Sequence, residues 1–540
     1  MDEWGMARGA HRRAVLAGGV LLTAALATRS LAQSGGGPAP VAQTAYGAVR
    51  GESQGGAAVF KGVPYGAPTG GGARFMPPEA PGRWSGVRDA KKFGDQCPQV
   101  AEPTNALYAS WATNTGESED CLSLNVWTPG VADGKKRPVM VWMHGGGFST
   151  LNGSSPVYDG VRLCQRGDVV LVTLNHRLNL FGYLYLADLA GPKFADSGNI
   201  GQLDLIFALQ WVRDNIEGFG GDPGRVTIFG ESGGGGKVST LMAMPAAKGL
   251  FQRAVVQSGP WLKAITPEAA TATTKQILAA IGVPESSAGD LQHATPDRLV
   301  AAVEKVTKDR PLAFGPVVDG KNLPGDPFDP AAPRLTADVP LIVGYNATET
   351  TALGAPKAAF DLDWDGLKAQ LAPTLGGADP DKLIADMRRL RPAASPSDLY
   401  FIITTDRGMG AGSIAMAERK SALGAAAAYM YRLEFETPVE RLRSPHGLDL
   451  PLVFDTVDKS ASFLGTGAAD AQKVAEQMSP AWIAFARTGS PNAPGLPSWP
   501  RYDTRSRSTM IFNVVSRAVN DPYAEERAII AALPGPVGLG

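Results

Sequence analysis

Residues 226–234 read VTIFGESGG, and this stretch decides the fold. The first four residues predict a buried strand, the next five form a G-x-S-x-G pattern, and a helical pattern begins directly afterwards. A serine on such a strand-to-helix turn needs glycine neighbours, because larger side chains would clash. Its hydroxyl would project above the sheet, near the positive end of the helix. The stretch therefore predicts that Ser232 is a nucleophile. The alternative is a glycine-rich turn without chemistry, since the chain has 65 glycines.

Other short apolar runs indicate that this strand belongs to a large sheet. They are rich in β-branched residues, as in central strands of a mostly parallel sheet. Helical patterns between them predict an α/β fold with a twisted sheet flanked by helices. No repeat or linker follows residue 40, so residues 41–540 are predicted to form one domain. The predicted strands are residues 138–143, 168–174, 226–229, 253–257, 340–344, 429–435 and 510–514; the predicted helices include 199–216 and 471–487, with helical insertions capping the sheet at 264–310 and 357–397.

His446 is the best candidate for the base that Ser232 requires. It follows the predicted strand 429–435, and the far end of a strand is where an α/β sheet places catalytic groups. It also follows Ser232 in the chain, as the order serine, acid, histidine requires. The other four histidines are less suitable by position; they are His11, His144, His176 and His293.

The acid is expected between Ser232 and His446 in the sequence. Glu349 comes shortly after the predicted strand 340–344, where its carboxylate would accept a hydrogen bond from the histidine ring and stabilise the imidazolium. Asp319 is the rival, but it lies in a segment that resembles a turn. The sequence therefore favours Glu349.

Residues 144–148, HGGGF, follow the predicted strand 138–143 and are called the oxyanion loop here. Glycines allow backbone N–H groups to approach a tetrahedral oxyanion without obstruction by side chains. The alternative is a flexible loop without this role, but the occurrence of two motifs of one fold in the expected order favours the oxyanion loop.

Composition excludes several other classes of protein. The 540 residues are 44% apolar, and 51 Lys and Arg oppose 52 Asp and Glu, for a net charge of −1. This balance provides no basic excess for nucleic acid, and a fibre, a coiled coil or a protein with many membrane spans is not expected. Cysteine and histidine lack metal-ligand spacing, so no metal is expected.

Residues 1–32 resemble an export signal. Arg12 and Arg13 precede fourteen uncharged residues, 14–27, which suit a signal better than a membrane span. Residues 30–32, SLA, fit a cleavage site. A twin-arginine signal and an ordinary secretory signal remain equal alternatives. The mature chain is thus expected to be periplasmic or secreted, with a flexible leader at residues 33–40 and no membrane span.

These motifs, with several others, resemble those of the type-B carboxylesterases, the family of cholinesterases and bacterial para-nitrobenzyl esterases. The resemblance covers nearly the whole mature chain. The additional motifs are FKGVPY (60–65), RF (74–75), SEDCLSLNV (118–126), NIEGFGGDP (215–223) and WPRY (499–502).

The resemblance implies an α/β-hydrolase fold, a small-molecule ester substrate and no cofactor; it indicates no oligomeric state. It implies the triad Ser232, Glu349 and His446, with Gly146, Gly147 and Gly233 as oxyanion donors. It also implies a disulfide between Cys97 and Cys121, which leaves Cys164 free. Finally, it implies two buried ion pairs, Arg74–Glu119 and Arg177–Asp222.

Five positions depart from the family pattern without removing a catalytic group. Thr350, directly after Glu349, stands where glycine is usual. Gly233 stands where alanine is usual, and Lys237 where a small residue is usual. His176 replaces a common tyrosine, and Asp449 replaces a glutamate.

Substrate identity is the least determined property. Phe148, Trp261 and Phe314 are candidate pocket walls. Lys237 lies little more than a turn past Ser232, so its ammonium could favour esters with free carboxylates, such as those of fumonisin-type toxins. It could instead reach solvent or pair with a carboxylate. Alternatives to a serine esterase are a non-catalytic binding module and an amidase or lactonase on the same fold.

Overall fold

A large mixed sheet organises the protein in its computed structural model, which describes residues 38–101, 106–308, 310, 312–353 and 355–535. Residues 39–540 group into one compact unit. The strands within the described residues are β1 (Val41–Gln43), β2 (Ala48–Arg50), β3 (Glu52–Gln54), β4 (Ala57–Pro64), β5 (Val87–Asp89), β6 (Ser123–Thr128), β7 (Arg137–Met143), β8 (Val170–Leu174), β9 (Gly221–Glu231), β10 (Arg253–Gln257), β11 (Leu341–Asn346), β12 (Ala428–Leu433), β13 (Ser508–Phe512) and β14 (Arg517–Asn520).

Eleven of the described strands form the main sheet, in the order β14-β13-β12-β11-β10-β9-β7-β8-β6-β4-β3, and β1, β2 and β5 form a small second sheet. The seven strands from β8 to β13 in this order pair in parallel, whereas the strands at both edges are antiparallel. The predicted mostly parallel α/β sheet is therefore confirmed. All seven predicted strands are present, with ends that differ by a few residues.

Helices cover both faces of the sheet. Successive side chains of β7 alternate between two hydrophobic clusters: Val139 and Val141 belong to one, Met140 and Trp142 to the other. The described helices are α1 (Val161–Gly167), α2 (Asn179–Tyr183), α3 (Ala187–Ala190), α4 (Ile200–Asn215), α5 (Gly233–Ala243), α6 (Pro267–Ile281), α7 (Pro296–Thr307), α8 (Trp364–Leu371), α9 (Pro380–Leu390), α10 (Pro396–Thr405), α11 (Ala411–Ala422), α12 (Asp449–Val453), α13 (Ala461–Leu464), α14 (Ala468–Thr488) and α15 (Ala524–Ala531).

The predicted helices correspond to observed ones. Helix α4 matches residues 199–216, and α14 matches 471–487. The insertion at 264–310 contains α6 and α7, and that at 357–397 contains α8, α9 and the start of α10. In the described part of the chain, no helix has the length and apolar character that a membrane span requires. The export signal predicted at 1–32 lies outside the described residues, as do residues 33–37 of the leader.

Of the two predicted ion pairs, one is present and one is wrong. Arg74 and Glu119 lie 2.6 Å apart. Arg177 pairs with Asp204 of α4 instead of Asp222, with 2.6 and 2.8 Å hydrogen bonds. Asp204 is fully buried beside the guanidinium, whereas the Asp222 carboxylate accepts a hydrogen bond from the Gly224 N–H.

The Cys97–Cys121 disulfide is not formed in the structure. All three cysteines are buried thiols. A hydrogen bond with Cys97, together with burial, raises the pKa of the Cys121 thiol, so the two side chains are neighbours without being bonded. Oxidation is a further chemical step, which neither sequence nor packing performs by itself.

Candidate active site

Ser232 lies between β9 and α5 in a strained backbone conformation, with φ 58° and ψ −127°. Such values persist in a non-glycine residue only where the surrounding structure enforces them. The adjacent glycines make the turn feasible. A Cβ on Gly234 would lie 2.0 Å from the Met143 carbonyl oxygen, and one on Gly230 would lie 2.4 Å from the carbonyl carbon of Gly234. Ser232 itself is partly exposed.

His446 and Glu349 meet at the same edge of the sheet. Glu349 follows β11 and His446 follows β12; these strands are parallel neighbours, so their carboxyl ends coincide. The His446 Nδ1 lies 2.6 Å from Glu349 Oε2, while the other carboxylate oxygen accepts a 2.7 Å hydrogen bond from the Asn346 N–H. The Glu349 side chain is fully buried, so the pair is held away from water.

The supporting loops bind each other through backbone and side-chain hydrogen bonds. The Thr348 N–H donates to the Ser444 carbonyl, and the Ser444 N–H donates to the Thr348 hydroxyl. The Asn346 amide donates to the Pro445 carbonyl at 2.8 Å. These contacts fix the distance between the candidate acid and base before any substrate binds.

Glu231 was not among the predicted site residues, yet it contacts the candidate base. Its Oε1 lies 3.1 Å from His446 Nε2. Burial disfavours a charged imidazole, but Glu231 and then Glu349 outweigh it and raise the pKa of His446 to about 9. Burial also raises the pKa of Glu231 to about 8. Its position directly before Ser232 in the elbow was the signal that could have identified it.

Ser232 directly follows Glu231 in the chain, and no hydrogen bond of its Oγ is found within the described residues. A Cβ on Gly145 would lie 3.2 Å from Glu231 Oε2 and 3.5 Å from Ser232 Cβ, so both side chains adjoin the oxyanion loop. Catalytic hydrogen bonds are often loose before substrate binds. Proton transfer from Ser232 to His446 would require Nε2 to exchange its contact with Glu231 for one with the hydroxyl.

The three candidate oxyanion glycines converge on Ser232. Gly146 and Gly147 have φ values of 78° and 58°, a backbone region that favours glycine. Gly233 begins α5, and the first N–H groups of a helix have no partner within the helix. A Cβ on Gly233 would lie 2.1 Å from the Gly147 carbonyl oxygen, so loop and helix are in close contact. The loop and the start of the helix therefore lie side by side, and their role as oxyanion donors stays a prediction.

Comparisons with known proteins agree with this geometry. The model of the carboxylesterase family matches residues 38–367 and 385–529. The chain belongs to the carboxylesterase family. It is 36% identical to a para-nitrobenzyl esterase of Bacillus subtilis (strain 168), over 90% of this chain and 97% of the relative. It is 33% identical to a fumonisin B1 esterase of Sphingopyxis macrogoltabida, over 87% and 85%.

Solved carboxylesterase structures share the fold. A Geobacillus stearothermophilus carboxylesterase is 38% identical to this chain, with a TM-score of 0.80, over 91% of this chain and 99% of that one. A para-nitrobenzyl esterase structure is 34% identical, with a TM-score of 0.75 and 91% and 100% coverage. The protein is thus a carboxylic ester hydrolase with the α/β-hydrolase fold.

Lys237, one of the departures from the carboxylesterase pattern, lies where none of the predicted alternatives placed it. Its side chain is fully buried, so it does not reach solvent, and no carboxylate among the described residues pairs with it. The ammonium donates to the carbonyl oxygens of His144 at 2.8 Å and Gly147 at 2.9 Å. The prediction that Lys237 contacts substrate is therefore wrong, because the oxyanion loop occupies its donors.

The predicted pocket walls are all largely buried. Phe148 packs against Trp261, with ring centroids 5.1 Å apart. A Cβ on Gly236 would lie 3.2 Å from the Phe148 ring and 3.5 Å from Trp261 Cβ, so both adjoin α5. Phe314 belongs to the same hydrophobic cluster and is 1% exposed. Their roles as substrate contacts stay predictions.

A cavity of about 720 Å³ opens elsewhere, beside Thr348, Arg432 and Arg443. Neither Ser232 nor the oxyanion glycines line it. The rival acid, Asp319, is also remote from the base, since its carboxylate accepts hydrogen bonds from Asn199 and Asn322.

Proposed function

We propose that the protein hydrolyses carboxylic esters through an acyl-enzyme, with Ser232, His446 and Glu349 as its triad. The observation that carries the proposal is the buried 2.6 Å contact between His446 and Glu349 beside a strained serine elbow. The glycines of the oxyanion loop support it, because they supply backbone donors on the other side of the serine.

The mechanism follows from the arrangement of these groups. Ser232 Oγ attacks the ester carbonyl carbon while His446 Nε2 accepts its proton, and the N–H groups of Gly146, Gly147 and Gly233 stabilise the oxyanion. The C–O bond to the alcohol then breaks, and His446 returns the proton to the leaving oxygen. Water then attacks the acyl carbon while His446 accepts its proton. The bond between that carbon and Ser232 Oγ breaks, His446 returns the proton to Oγ, and the acid is released.

The Ser232→Ala variant tests the proposal. We expect an intact fold and a loss of ester turnover on the order of 10⁵-fold or more. An organophosphonate should add to Ser232 in the wild-type protein, as measured by mass spectrometry of the intact chain. An absent adduct, with turnover that survives in the variant, would contradict the proposal.

The same assay separates the alternative functions. A non-catalytic binding module on this fold would show no turnover and no adduct. An amidase or lactonase would hydrolyse a matched amide or lactone as fast as the ester. The presence of all three candidate triad residues favours the esterase over the binding module.

For substrate class, we propose bulky or polycarboxylate esters, such as the fumonisin type. The support is the resemblance to a fumonisin B1 esterase, since Lys237 is not available to bind a substrate carboxylate. A panel that pairs each neutral ester with its carboxylate analogue tests this. A lower kcat/KM for every anionic member would contradict it.

We also propose that the protein is exported and that Cys97 and Cys121 become bonded in an oxidising compartment, supported by the signal-like residues 1–32 and by the neighbouring thiols. Thiol titration of unfolded, unreduced protein isolated from its natural compartment should find one thiol, that of Cys164. Three titrated thiols would mean that the bond is absent.

A further inference from the structure

Lys237 binds the backbone carbonyls of the oxyanion loop. It is the fifth residue of α5, and its ammonium lies among three carbonyl oxygens of the loop, those of His144, Gly145 and Gly147, at 2.8, 3.5 and 2.9 Å. The first and third distances are good hydrogen bonds, and the second is marginal. An ammonium has three N–H groups, so these acceptors engage two of them well and the third only weakly.

The carbonyl contacts determine where the loop's N–H groups point. In a trans peptide the C=O and the N–H point in opposite directions. The Gly145 carbonyl lies 3.0 Å from His144 Nδ1 and 3.5 Å from the Lys237 ammonium, so the Gly146 N–H of the same peptide points away from both groups. The Gly146 carbonyl accepts from the N–H groups of Ser149 and Thr150, at 3.1 and 3.0 Å, which orients the Gly147 N–H in the same manner. Both oxyanion donors are therefore fixed through the opposite ends of their own peptides.

The ammonium has no carboxylate partner within salt-bridge distance in the described part of the chain. The titratable groups beside it are His144 and His176, whose rings stack with centroids 5.0 Å apart. Burial, and next the charge of Lys237, lower the pKa of each ring, so both are neutral. Burial lowers the pKa of Lys237 to about 7. A buried cation without a carboxylate partner costs stability. Here the carbonyl dipoles and the face of the Phe148 ring, whose centroid lies 5.7 Å from the ammonium, compensate the charge.

Gly233 shows how tightly the loop is held against α5. The oxygen nearest to a Cβ at this position, at 2.1 Å, is the Gly147 carbonyl oxygen that Lys237 binds. The alanine that is usual here in the family would require the loop to move. The two departures from the family pattern, Gly233 and Lys237, thus meet at a single atom.

We propose that Lys237 is a positioning residue, which holds the oxyanion loop so that the N–H groups of Gly146 and Gly147 face the tetrahedral oxyanion. This inference rests on the proposed serine-esterase function. Lys237 acts on the transition state only through the loop. Its loss should therefore lower kcat while KM changes little, and equally for neutral and anionic esters.

Lys420 provides a matched control. Its side chain is also fully buried, and its ammonium donates to the carbonyls of Thr336 and Ala337 at 2.7 and 3.0 Å. Burial lowers its pKa to about 8. These carbonyls precede β11, at the opposite end of the strand from Glu349. Lys420 therefore resembles Lys237 in being a buried ammonium bound by two carbonyls, although Asp338 lies near it, and it does not contact the oxyanion loop.

The experiment compares Lys237→Met with Lys420→Met by kcat, KM and melting temperature on a para-nitrophenyl ester. We expect both variants to have a lower melting temperature than the wild type. Lys237→Met should lose about 10- to 100-fold in kcat, less than or near the loss from removing an oxyanion donor outright. Lys420→Met should keep kcat within about twofold, because a change at a site distant from the oxyanion loop is not expected to couple to it.

A trifluoromethyl ketone, which forms a tetrahedral adduct with a serine hydroxyl, supplies a readout that a purely structural role would not change. Its affinity for Lys237→Met should fall by the same factor as kcat/KM, while Lys420→Met binds it like the wild type. If Lys237→Met yields no folded enzyme, Lys237→Gln, which retains two N–H donors, is measured by the same criteria.

Two results would overturn the inference: folded Lys237 variants with wild-type kcat/KM and ketone affinity, or equal kcat losses in the two lysine variants. A wild-type protein without ester turnover or Ser232 labelling would instead refute the proposed function. The two failures are therefore distinguishable.

Discussion

The two sides of the serine elbow stabilise buried charge in opposite ways. On one side, His446 lies between the carboxylates of Glu349 and Glu231, at 2.6 and 3.1 Å. On the other side, Lys237 lies among backbone carbonyls and beside two neutral imidazole rings. The base side thus surrounds a cation with formal negative charge, whereas the oxyanion side uses backbone dipoles and the face of the Phe148 ring. Burial dominates Lys237 and lowers its pKa, but full charges outweigh burial at His446 and raise its pKa.

This difference indicates how each side serves the proposed reaction. In the tetrahedral intermediate, the proton resides on His446 and the negative charge on the substrate oxygen. The carboxylates stabilise the proton on His446. The Lys237 cation polarises the peptides of the oxyanion loop, whose N–H groups then stabilise the negative charge on the substrate oxygen. The carboxylates act on the base directly, while Lys237 acts through the loop, so we expect larger losses from changes on the base side.

The largest effect is expected for Glu349→Gln. The amide nearly preserves shape but removes the charge that orients His446 and stabilises the imidazolium, so kcat should fall by about 10³- to 10⁴-fold. Steady-state kinetics measure the loss, and circular dichroism checks the fold. Asp319→Asn serves as the control, because the rival carboxylate lies elsewhere. Near-normal turnover in Glu349→Gln would show that the base side does not depend on this charge.

The next effect is expected for Gly233→Ala on the oxyanion side. The new Cβ would meet the Gly147 carbonyl at 2.1 Å, so the loop must move away from α5 and Lys237. We expect kcat to fall by about 10- to 100-fold with little change in KM. Gly82→Ala is the control, since no atom lies within 4 Å of its added Cβ and its φ is ordinary. Full activity in Gly233→Ala would mean that the close contact between loop and helix is not needed.

The smallest effect is expected for Glu231→Gln, as a change in pH dependence. The base must be neutral to accept the proton, so kcat/KM should rise with pH through the raised pKa of His446, about 9 in the wild type. Removing the Glu231 charge lowers the pKa of His446, so the rise should move to lower pH. Initial rates from pH 5 to pH 10 measure this. An unchanged profile would mean that Glu349 alone sets the pKa of the base.

Local patterns in the sequence determined the strands, the order of the site residues and the elbow. The elbow is readable because strand, glycines and helix all occur within about twenty residues, and each is a local preference. His446 and Glu349 were also identifiable, since the topology of a parallel sheet places the ends of successive strands at one edge. The contact between them at 2.6 Å confirms that they meet.

Only the tertiary structure decided which partner each long charged side chain found. Arg177 binds Asp204 rather than Asp222, and Lys237 binds carbonyls about 90 residues away in the chain. A lysine stem with several rotatable bonds can reach solvent, a carboxylate or a backbone oxygen, and sequence spacing does not distinguish these. Packing of α5 against the oxyanion loop excluded solvent and a carboxylate as partners of Lys237, because it buried the ammonium where carbonyl oxygens were the hydrogen-bond acceptors within reach.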